Sequence, residues 1–246
     1  MIRLDRALVE RGLARSRTVA QAAIVSGAVT VNGEPATKPS QLVGEADLVA
    51  AQVDPWVSRA AHKLLGALAD SGVEVGGRVL DAGASTGGFT EVCLARGAER
   101  VYAVDVGHGQ LASGLRSDPR VVVWERTNLR DLTLAHVEGE PVDLIVGDVS
   151  FISLRLLLRP LLAVLRPSGS ALLLVKPQFE VGRAGLDDHG VVRSAALRTQ
   201  AVTAVIQTAG ELGWRADWHG ESSLPGESGN VEYFVHFVSA DVSAGG

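Results

Sequence analysis

The 246-residue chain is 46% apolar and 21% charged, enough for one large α/β domain plus a small module. Its single cysteine, Cys93, excludes a disulfide framework and a multi-cysteine zinc site, and no metal centre is expected elsewhere. The net charge of −5 hides an asymmetry: Arg3, Arg6, Arg11, Arg15 and Arg17 outweigh Asp5 and Glu10, so residues 1–17 carry +3 and the remainder −8. Such a start reads as a basic foot on an acidic body, or as a solvated helix face.

Charged residues interrupt the start, so no secretory leader is expected. The most apolar stretch, 156–175, is broken by Arg159, Pro160, Arg166, Pro167 and Gly169, which argues against a membrane span. A cytoplasmic location follows as the expectation. Of 23 basic residues 20 are arginine, and only Lys38, Lys63 and Lys176 are lysine. The chain's bias toward Ala, Gly, Val and Arg explains much of this. Even so, a lysine here marks a position where a deprotonatable amine could serve and a guanidinium could not.

In chain order, residues 1–53 form a small module. Ile2, Leu4, Ala7 and Leu8 have helical spacing closed by Gly12, and Ser16 caps a second helix bearing Val19, Ala22, Ala23 and Ile24. Val29-Thr30-Val31 is a strand entering the hairpin turn Asn32-Gly33. Residues 34–46 read as loop, and 47–51 return as a strand. Two short helices, a hairpin and the string Arg3-Leu4-Asp5, Ser16-Arg17, Ala20, Gly27, Val29 and Val31-Asn32-Gly33 resemble the α-L RNA-binding domain (the S-four type). That domain is shared by a small-subunit ribosomal protein, pseudouridine synthases and rRNA-modifying enzymes. The resemblance makes the five arginines candidate RNA contacts; a helical cap on the main domain is the alternative.

Residues 54–58 read as a linker in which Pro55 blocks helix continuation, and Ser58 can cap a helix over 59–71. Strands at 78–82, 100–105, 121–124, 142–148 and 170–176 then alternate with helices at 88–96, 108–116, 153–165 and 194–212. Strands near 214–219 and 231–238 follow. This alternation predicts an α/β domain over 59–240 built on a mostly parallel, doubly wound sheet of seven strands. The last residues, 241–246, read as a flexible tail.

Val79-Leu80-Asp81-Ala82-Gly83-Ala84-Ser85-Thr86-Gly87-Gly88-Phe89-Thr90 is a buried strand, a glycine-rich turn and a helix start. Glycines let the backbone approach a ligand closely, and the helix N-terminus favours its negative groups. The second glycine of a dinucleotide fingerprint is missing, and Asp81 before the turn suits a ligand with an ammonium group rather than a pyrophosphate. S-adenosylmethionine has that ammonium, together with a carboxylate for the turn. Asp105 ends the next strand, where an acid can hold both ribose hydroxyls. Glu125, Asn128 and Asp131 lie where an adenine edge would be, with Asn128 favoured. The cofactor set is therefore Asp81, Gly83, Ala84, Ser85, Thr86, Gly87, Gly88, Phe89, Asp105, Asn128 and Asp148. An unliganded corner and a nicotinamide-cofactor site are the alternatives.

The fourth strand ends in Asp148-Val149-Ser150-Phe151, lacking the diproline of enzymes that methylate an exocyclic amine. Carbon-5 methylation needs a nucleophilic thiolate, and Cys93 lies inside a helix. Oxygen methylation needs a group that removes or stabilises the hydroxyl proton. Lys176, ending the fifth strand beside Asp148, can do so as base or as cation; alone it could equally be a structural lysine.

Lys63, Asp148, Lys176 and Glu232 reproduce the Lys-Asp-Lys-Glu tetrad of the FtsJ-like ribose 2′-O-methyltransferases. With Ser58-Arg59-Ala60-Ala61-His62-Lys63-Leu64, Lys176-Pro177-Gln178-Phe179-Glu180 and Gly229-Asn230-Val231-Glu232-Tyr233-Phe234, the chain resembles the TlyA family over nearly its full length. The resemblance implies a Rossmann-like class I methyltransferase domain that uses S-adenosylmethionine on ribose 2′-oxygens of cytidines in ribosomal RNA. It makes those four residues catalytic, with ribosomal RNA or a ribosomal subunit as partner. Some members carry the name haemolysin, and loss of the modification gives capreomycin or viomycin resistance. Arg59, one turn before Lys63, becomes a sixth RNA contact, and Phe151 borders the target nucleotide or packs in the core. The 182–190 loop is a substrate lid or a plain connection. Asp54 stands where the family has a basic residue, which puts linker contact with RNA in doubt. The short chain resembles members acting on large-subunit rRNA alone. The competing expectations are a membrane-lytic protein and a ribosome-assembly factor without activity.

Overall fold

The computed structural model describes residues 1–241, so the expected tail lies almost wholly outside the described residues. The described chain falls into two compact units, Met1–Trp56 and a second from Val57 onward.

In the first unit β1 (Ile2–Arg3) leads into α1 (Leu4–Glu10), and α2 (Arg17–Val25) follows. Ser16 caps α2 by accepting the Val19 N–H at 3.3 Å. Leu4, Ala7, Leu8, Ala20 and Ile24 meet in a core that excludes water. β2 (Val29–Val31) and β3 (Glu34–Pro35) form the expected hairpin, with Asn32 and Gly33 both left-handed, and β5 (Val49–Ala51) pairs on the other side of β2. The 34–46 stretch is not all loop: it also holds β4 (Leu42–Val43), which pairs antiparallel with β1. Two-residue strands carry no readable alternation, so their pairing is invisible in the local pattern.

Asp5 is fully buried and closes this unit. Its carboxylate accepts from Arg3 at 3.0 and 3.1 Å, from Gln21 at 2.8 Å and from Arg17 at 2.9 Å. The Arg3 guanidinium, followed by Gln21 and Arg17, holds the carboxyl well below the usual carboxylate range against the opposing pull of burial.

The second unit opens with α3 (Ala60–Ser71) and then β6 (Arg78–Ala82), α4 (Gly88–Ala95), β7 (Arg100–Val104), α5 (Ser113–Arg116) and β8 (Val121–Trp124). It continues through β9 (Val142–Gly147), α6 (Leu158–Ala163), β10 (Leu165–Val175), α7 (Ala195–Glu211), β11 (Trp214–Glu221) and β12 (Tyr233–Ser239). The sheet order is β11-β12-β10-β9-β6-β7-β8, parallel from β10 to β8, with β12 antiparallel to both its neighbours. This is the expected seven-stranded α/β architecture. Strand order reverses between β6 and β9, and such a switch point opens a crevice at the carboxyl edge.

Alternation along the central strands sends residues to both faces. Leu80 and Ala82 join the cluster that includes Leu158 and Leu161 of α6 and Val205 of α7. On the other face Phe89 of α4 stacks on Phe234 of β12 at 6.1 Å. Cys93 is buried there, as expected for a core thiol, and burial pushes its pKa well up.

Two expected helices are shorter than the pattern suggested. The 108–116 helix is reduced to α5, because Gly107 and the left-handed Gly109 favour irregular backbone at its expected start. The 153–165 helix becomes a 3-10 turn, Leu154–Leu156, then α6, with Pro160 tolerated in the first turn where its missing N–H has no partner to lose. β10 starts at Leu165 and shifts register before Ser170. Among the described residues no helix is long and apolar enough to cross a membrane.

Asp81, at the end of β6, is fully buried, and its Oδ2 accepts the Thr90 hydroxyl at 2.6 Å while Oδ1 has no partner. Burial pushes the carboxyl up to about 7; Thr90 opposes the shift, and the Asp148 and Asp105 charges add to it.

Two outcomes follow for stability. Asp5→Ala should destabilise the first unit by about 1–2 kcal/mol, because the donors on Arg3, Arg17 and Gln21 lose their common acceptor. Amide hydrogen exchange across α1 and α2 would read this. The wild-type contribution is present above pH about 4 and fades only as acid approaches the lower folded value. For Asp81 the sign is opposite. Its folded pKa lies above the unfolded one, so stability falls as pH rises from about 4 to about 7. Asp81→Asn should flatten that slope and leave the variant with the higher Tm at pH 8, measured by thermal unfolding across pH.

Candidate functional site

The turn after β6 is shaped by what lies beside it. Gly83 is left-handed at φ 86°, and a Cβ there would sit 2.9 Å from the Asp148 carbonyl oxygen, so only glycine lets the ends of β6 and β9 approach. A Cβ on Gly88 would meet the Ser58 hydroxyl and the Ala61 nitrogen at 2.4 and 3.1 Å, so glycine admits the start of α3 against the start of α4. Ser85 is also left-handed, at φ 47°. Its N–H and that of Gly107 donate to the Asp105 carboxylate at 2.8 and 2.6 Å.

Sheet register brings four charges to the same edge. Asp148 follows β9 directly and Lys176 follows β10, while Glu232 precedes β12, whose Tyr233 pairs with Val175. Lys63 comes from the first turn of α3. Lys176 Nζ lies 2.6 Å from Asp148 Oδ1 and donates to Ser150 Oγ at 2.7 Å. Lys63 Nζ lies 2.6 Å from Glu232 Oε2, and Glu232 Oε1 accepts from Gln178 Nε2 at 3.2 Å. Lys63, Lys176 and Glu232 are 6%, 9% and 2% exposed. Both pairs are thus held out of bulk water, where charge–charge interactions strengthen.

The pairs line a cleft of about 540 Å³ together with Ser58, Arg59, Gly83, Ala84, Ser85, Thr86, Gly88 and Phe89. Phe151, Phe179 and His189 border it as well. Of the expected cofactor residues, Gly87 turns instead toward Leu111 and Leu115, and Asp81 lies behind the turn without exposed surface. Asp105 borders a separate hollow of only about 10 Å³ with Ala84, Ser85, Leu111 and Glu125. Asn128 reaches neither space; its side-chain oxygen accepts the Arg130 N–H at 3.0 Å. Glu125, the alternative at that strand end, borders the hollow and is tied to Gly109 N at 2.9 Å and to Arg116.

Each of the expected RNA contacts also holds a partner within its own unit. Arg3 and Arg17 share Asp5, and Arg6 pairs with Glu10 at 3.2 Å. Arg11 donates to the carbonyls of Asp47 and Gly44 at 2.7 and 2.6 Å, and Arg15 to those of Asp54 and Trp56. Arg59 borders the cleft and donates to the Pro225 carbonyl. The side chains of Arg3, Arg6 and Arg17 remain 43%, 57% and 56% exposed, so each can still present donors outward.

Several cleft residues escaped the sequence reading. Ser150 stands two positions after Asp148, an extended-chain spacing that could have found it, whereas Gln178 lies in a 3-10 turn, Pro177–Phe179, to which that spacing does not apply. Asn230 is 3% exposed, accepts from Val192 N and donates to Gly190 O, both at 3.0 Å. With Asp187 accepting from the N–H groups of His189 and Val191, these bonds brace the loop expected as a lid or a plain connection. A shallower hollow of about 420 Å³ beside His236, at the far end of β10, has no glycine turn and no lysine.

A cleft with a glycine turn on one wall and two buried lysine–carboxylate pairs on another can hold a polar ligand and govern a proton beside it. Comparison with known proteins agrees with that chemistry. The chain matches the FtsJ-like methyltransferase family over residues 56–239 and the S4 domain over residues 2–49. It is 52% identical over 237 residues to the 16S/23S rRNA (cytidine-2′-O)-methyltransferase TlyA of Mycobacterium tuberculosis, covering 95% of this chain and 88% of that protein. It is 38% identical to the 23S rRNA (cytidine-2′-O)-methyltransferase TlyA of Campylobacter jejuni, covering 74% of this chain and 71% of the relative. A solved structure described as a hemolysin, from Streptococcus thermophilus, superposes with a TM-score of 0.75 at 35% identity, covering 97% of this chain and 88% of the other. The chain belongs to the FtsJ-like methyltransferase family, in the branch that contains TlyA.

Proposed function

We propose that this methyltransferase transfers a methyl group from S-adenosylmethionine to the ribose 2′-hydroxyl of a cytidine in ribosomal RNA, in the cytoplasm. The observation that carries the reading is the Lys176–Asp148 pair at the carboxyl edge, 2.6 Å apart and open to the cleft beside the glycine turn. A ribose hydroxyl is a poor nucleophile, and an amine beside it favours the oxygen anion that attacks. Lys63 and Glu232 complete the charge network, and Asp148 holds the Lys176 amine beside it by charge.

The residues present fit the cofactor. In the turn the N–H groups of Gly83, Ala84, Ser85 and Gly87 are bonded within the protein, so those of Thr86 and Gly88 at the helix start are the ones for a carboxylate, and buried Asp81 with part-buried Asp148 favours an ammonium nearby. When bound, the cofactor supplies a methyl group made electrophilic by its sulfonium. Asp105 is the residue to hold its ribose.

For the RNA, the S4 domain and the outward donors of Arg3, Arg6 and Arg17 support phosphate contact, with Arg11 and Arg15 beside them in the same unit and Arg59 at the cleft. Phe151 adds a second kind of contact. It is left-handed at φ 65°, 92% exposed at the cleft, and its ring centroid lies 5.4 Å from that of Phe179. A bulky residue held in that conformation with its face in solvent offers a stacking surface to an unpaired base. Large-subunit rRNA is the substrate we favour. A dual substrate has one observation behind it: the relative at 52% identity is named for both 16S and 23S rRNA.

The test is mass-spectrometric mapping of 2′-O-methyl groups on rRNA from cells lacking the protein, before and after incubation with purified enzyme and methyl donor. New methylation at a cytidine of 23S rRNA is expected, and a 16S product would establish the dual substrate. Lys176→Ala should lower the transfer rate about 10²–10⁴-fold with RNA affinity nearly unchanged. Methyl groups found only on bases would sink the proposal.

A further inference from the structure

We propose that Ser150 is a positioning residue that fixes the direction in which the Lys176 amine meets the acceptor hydroxyl; the inference rests on the methyl transfer proposed above. A tetrahedral nitrogen has four directions. In Lys176 one is the bond to Cε and a second points to Ser150 Oγ at 2.7 Å, whereas Asp148 Oδ1, 2.6 Å away, is an ion-pair contact that accepts no directed hydrogen bond. Ser150 is therefore the group that sets how the other two directions are turned toward the cleft. One of them carries the lone pair in the amine form and an N–H in the ammonium form, and either suits the substrate oxygen there.

Backbone geometry explains why serine can do this. The chain leaves β9 still extended, so alternate residues face opposite sides. Asp148 and Ser150 face the cleft, while Val149 between them is 7% exposed and packs in the core. The left-handed Phe151 then turns the chain away. With Asp148 alone, Nζ could rotate about that single contact and sweep its reactive direction through a cone. Ser150 removes that freedom. Among the described residues Lys63 has no comparable hydroxyl: it donates to Glu232, whose other oxygen accepts from Gln178. The asymmetry marks Lys176 as the amine that faces the substrate.

The step balances as follows. The ribose oxygen forms a bond to the methyl carbon while the methyl–sulfur bond breaks, its electron pair remaining on a now neutral sulfur. The hydroxyl proton passes to the lone pair on Nζ. Misdirecting that lone pair slows transfer without touching the groups that bind cofactor or RNA.

The experiment compares wild type, Ser150→Ala and Ser150→Thr by single-turnover methyl transfer to rRNA, alongside the Kd of S-adenosylmethionine and of RNA. A parallel readout follows proton exchange at the lysine ammonium groups by NMR, where only Lys38, Lys63 and Lys176 contribute side-chain signals. Ser150→Ala should cut the rate about 10- to 100-fold with both Kd values within about twofold. Ser150→Thr, which keeps the hydroxyl, should recover most of the rate. Exchange should quicken at Lys176 and not at Lys63. The proposal is overturned by an Ala variant as fast as wild type, by a rate loss matched by weaker binding, by a Thr variant as slow as Ala, or by unchanged Lys176 exchange. A wild-type protein that shows the Lys176 response yet methylates no 2′-hydroxyl overturns the methyl-transfer reading instead, and with it the substrate half of this inference.

Discussion

Placing two lysine–carboxylate pairs at the edge of an apolar sheet is costly, and much of the second unit can be understood as the means of doing so. Withdrawing an ion from water costs several kcal/mol, and the mutual attraction of a pair seldom more than offsets this. Well-packed apolar residues would fill the same space at least as stably. Lys63, Lys176 and Glu232 are nonetheless nearly inaccessible, and each lysine lies 2.6 Å from its carboxylate. The switch of strand order between β6 and β9 provides the crevice, and the pairing of β10 with β12 sets Lys176 level with Glu232. A scaffold that accepts this cost holds its charges ready before substrate arrives, so little reorganisation is needed at the moment of reaction.

What could be read from the sequence, and what could not, divides by range. The strand–turn–helix of residues 79–90 is local, and its glycines and flanking acid were legible as a ligand turn. The long α7 and the central strands were legible from periodicity and apolar runs. Lys63 and Glu232 are 169 residues apart in sequence, and no local pattern joins them; they entered through the family resemblance. Asn128 was favoured from its place after a strand, but strand-end position does not fix where a short side chain points. Its amide turned back to cap the next turn, and Glu125 took the place beside the hollow. Asp5 is the opposite case. It entered the reading as a charge to be subtracted, whereas its burial makes it the centre around which Arg3, Arg17 and Gln21 are arranged.

That arrangement changes the meaning of the arginine-rich start. A net +3 reads as a basic foot or as a solvated helix face. Arg3 and Arg17 converge on one buried acid, Arg11 braces the loop before β5, and Arg15 grips the backbone of the segment that ends the first unit. A guanidinium has five donors in a fixed plane, so one arginine can brace the fold through one edge and face outward through the other. The RNA contact proposed for this unit would therefore draw on the side chains that hold its fold, and a variant that removes one would alter both.

The hollow beside Asp105 has a consequence in time rather than in space. At about 10 Å³ it holds at most a single water, far less than a nucleoside. Leu111 and Glu125 border it, and the Ala112 N–H is bonded to the Thr86 carbonyl at 3.1 Å. A ribose held by Asp105, as proposed, would first have to displace this short segment. Capture at that end would then be governed by how often the chain opens, and residence by how firmly it closes again. Cofactor association would accordingly run slower than diffusional encounter, with the segment after β7 acting as the clock.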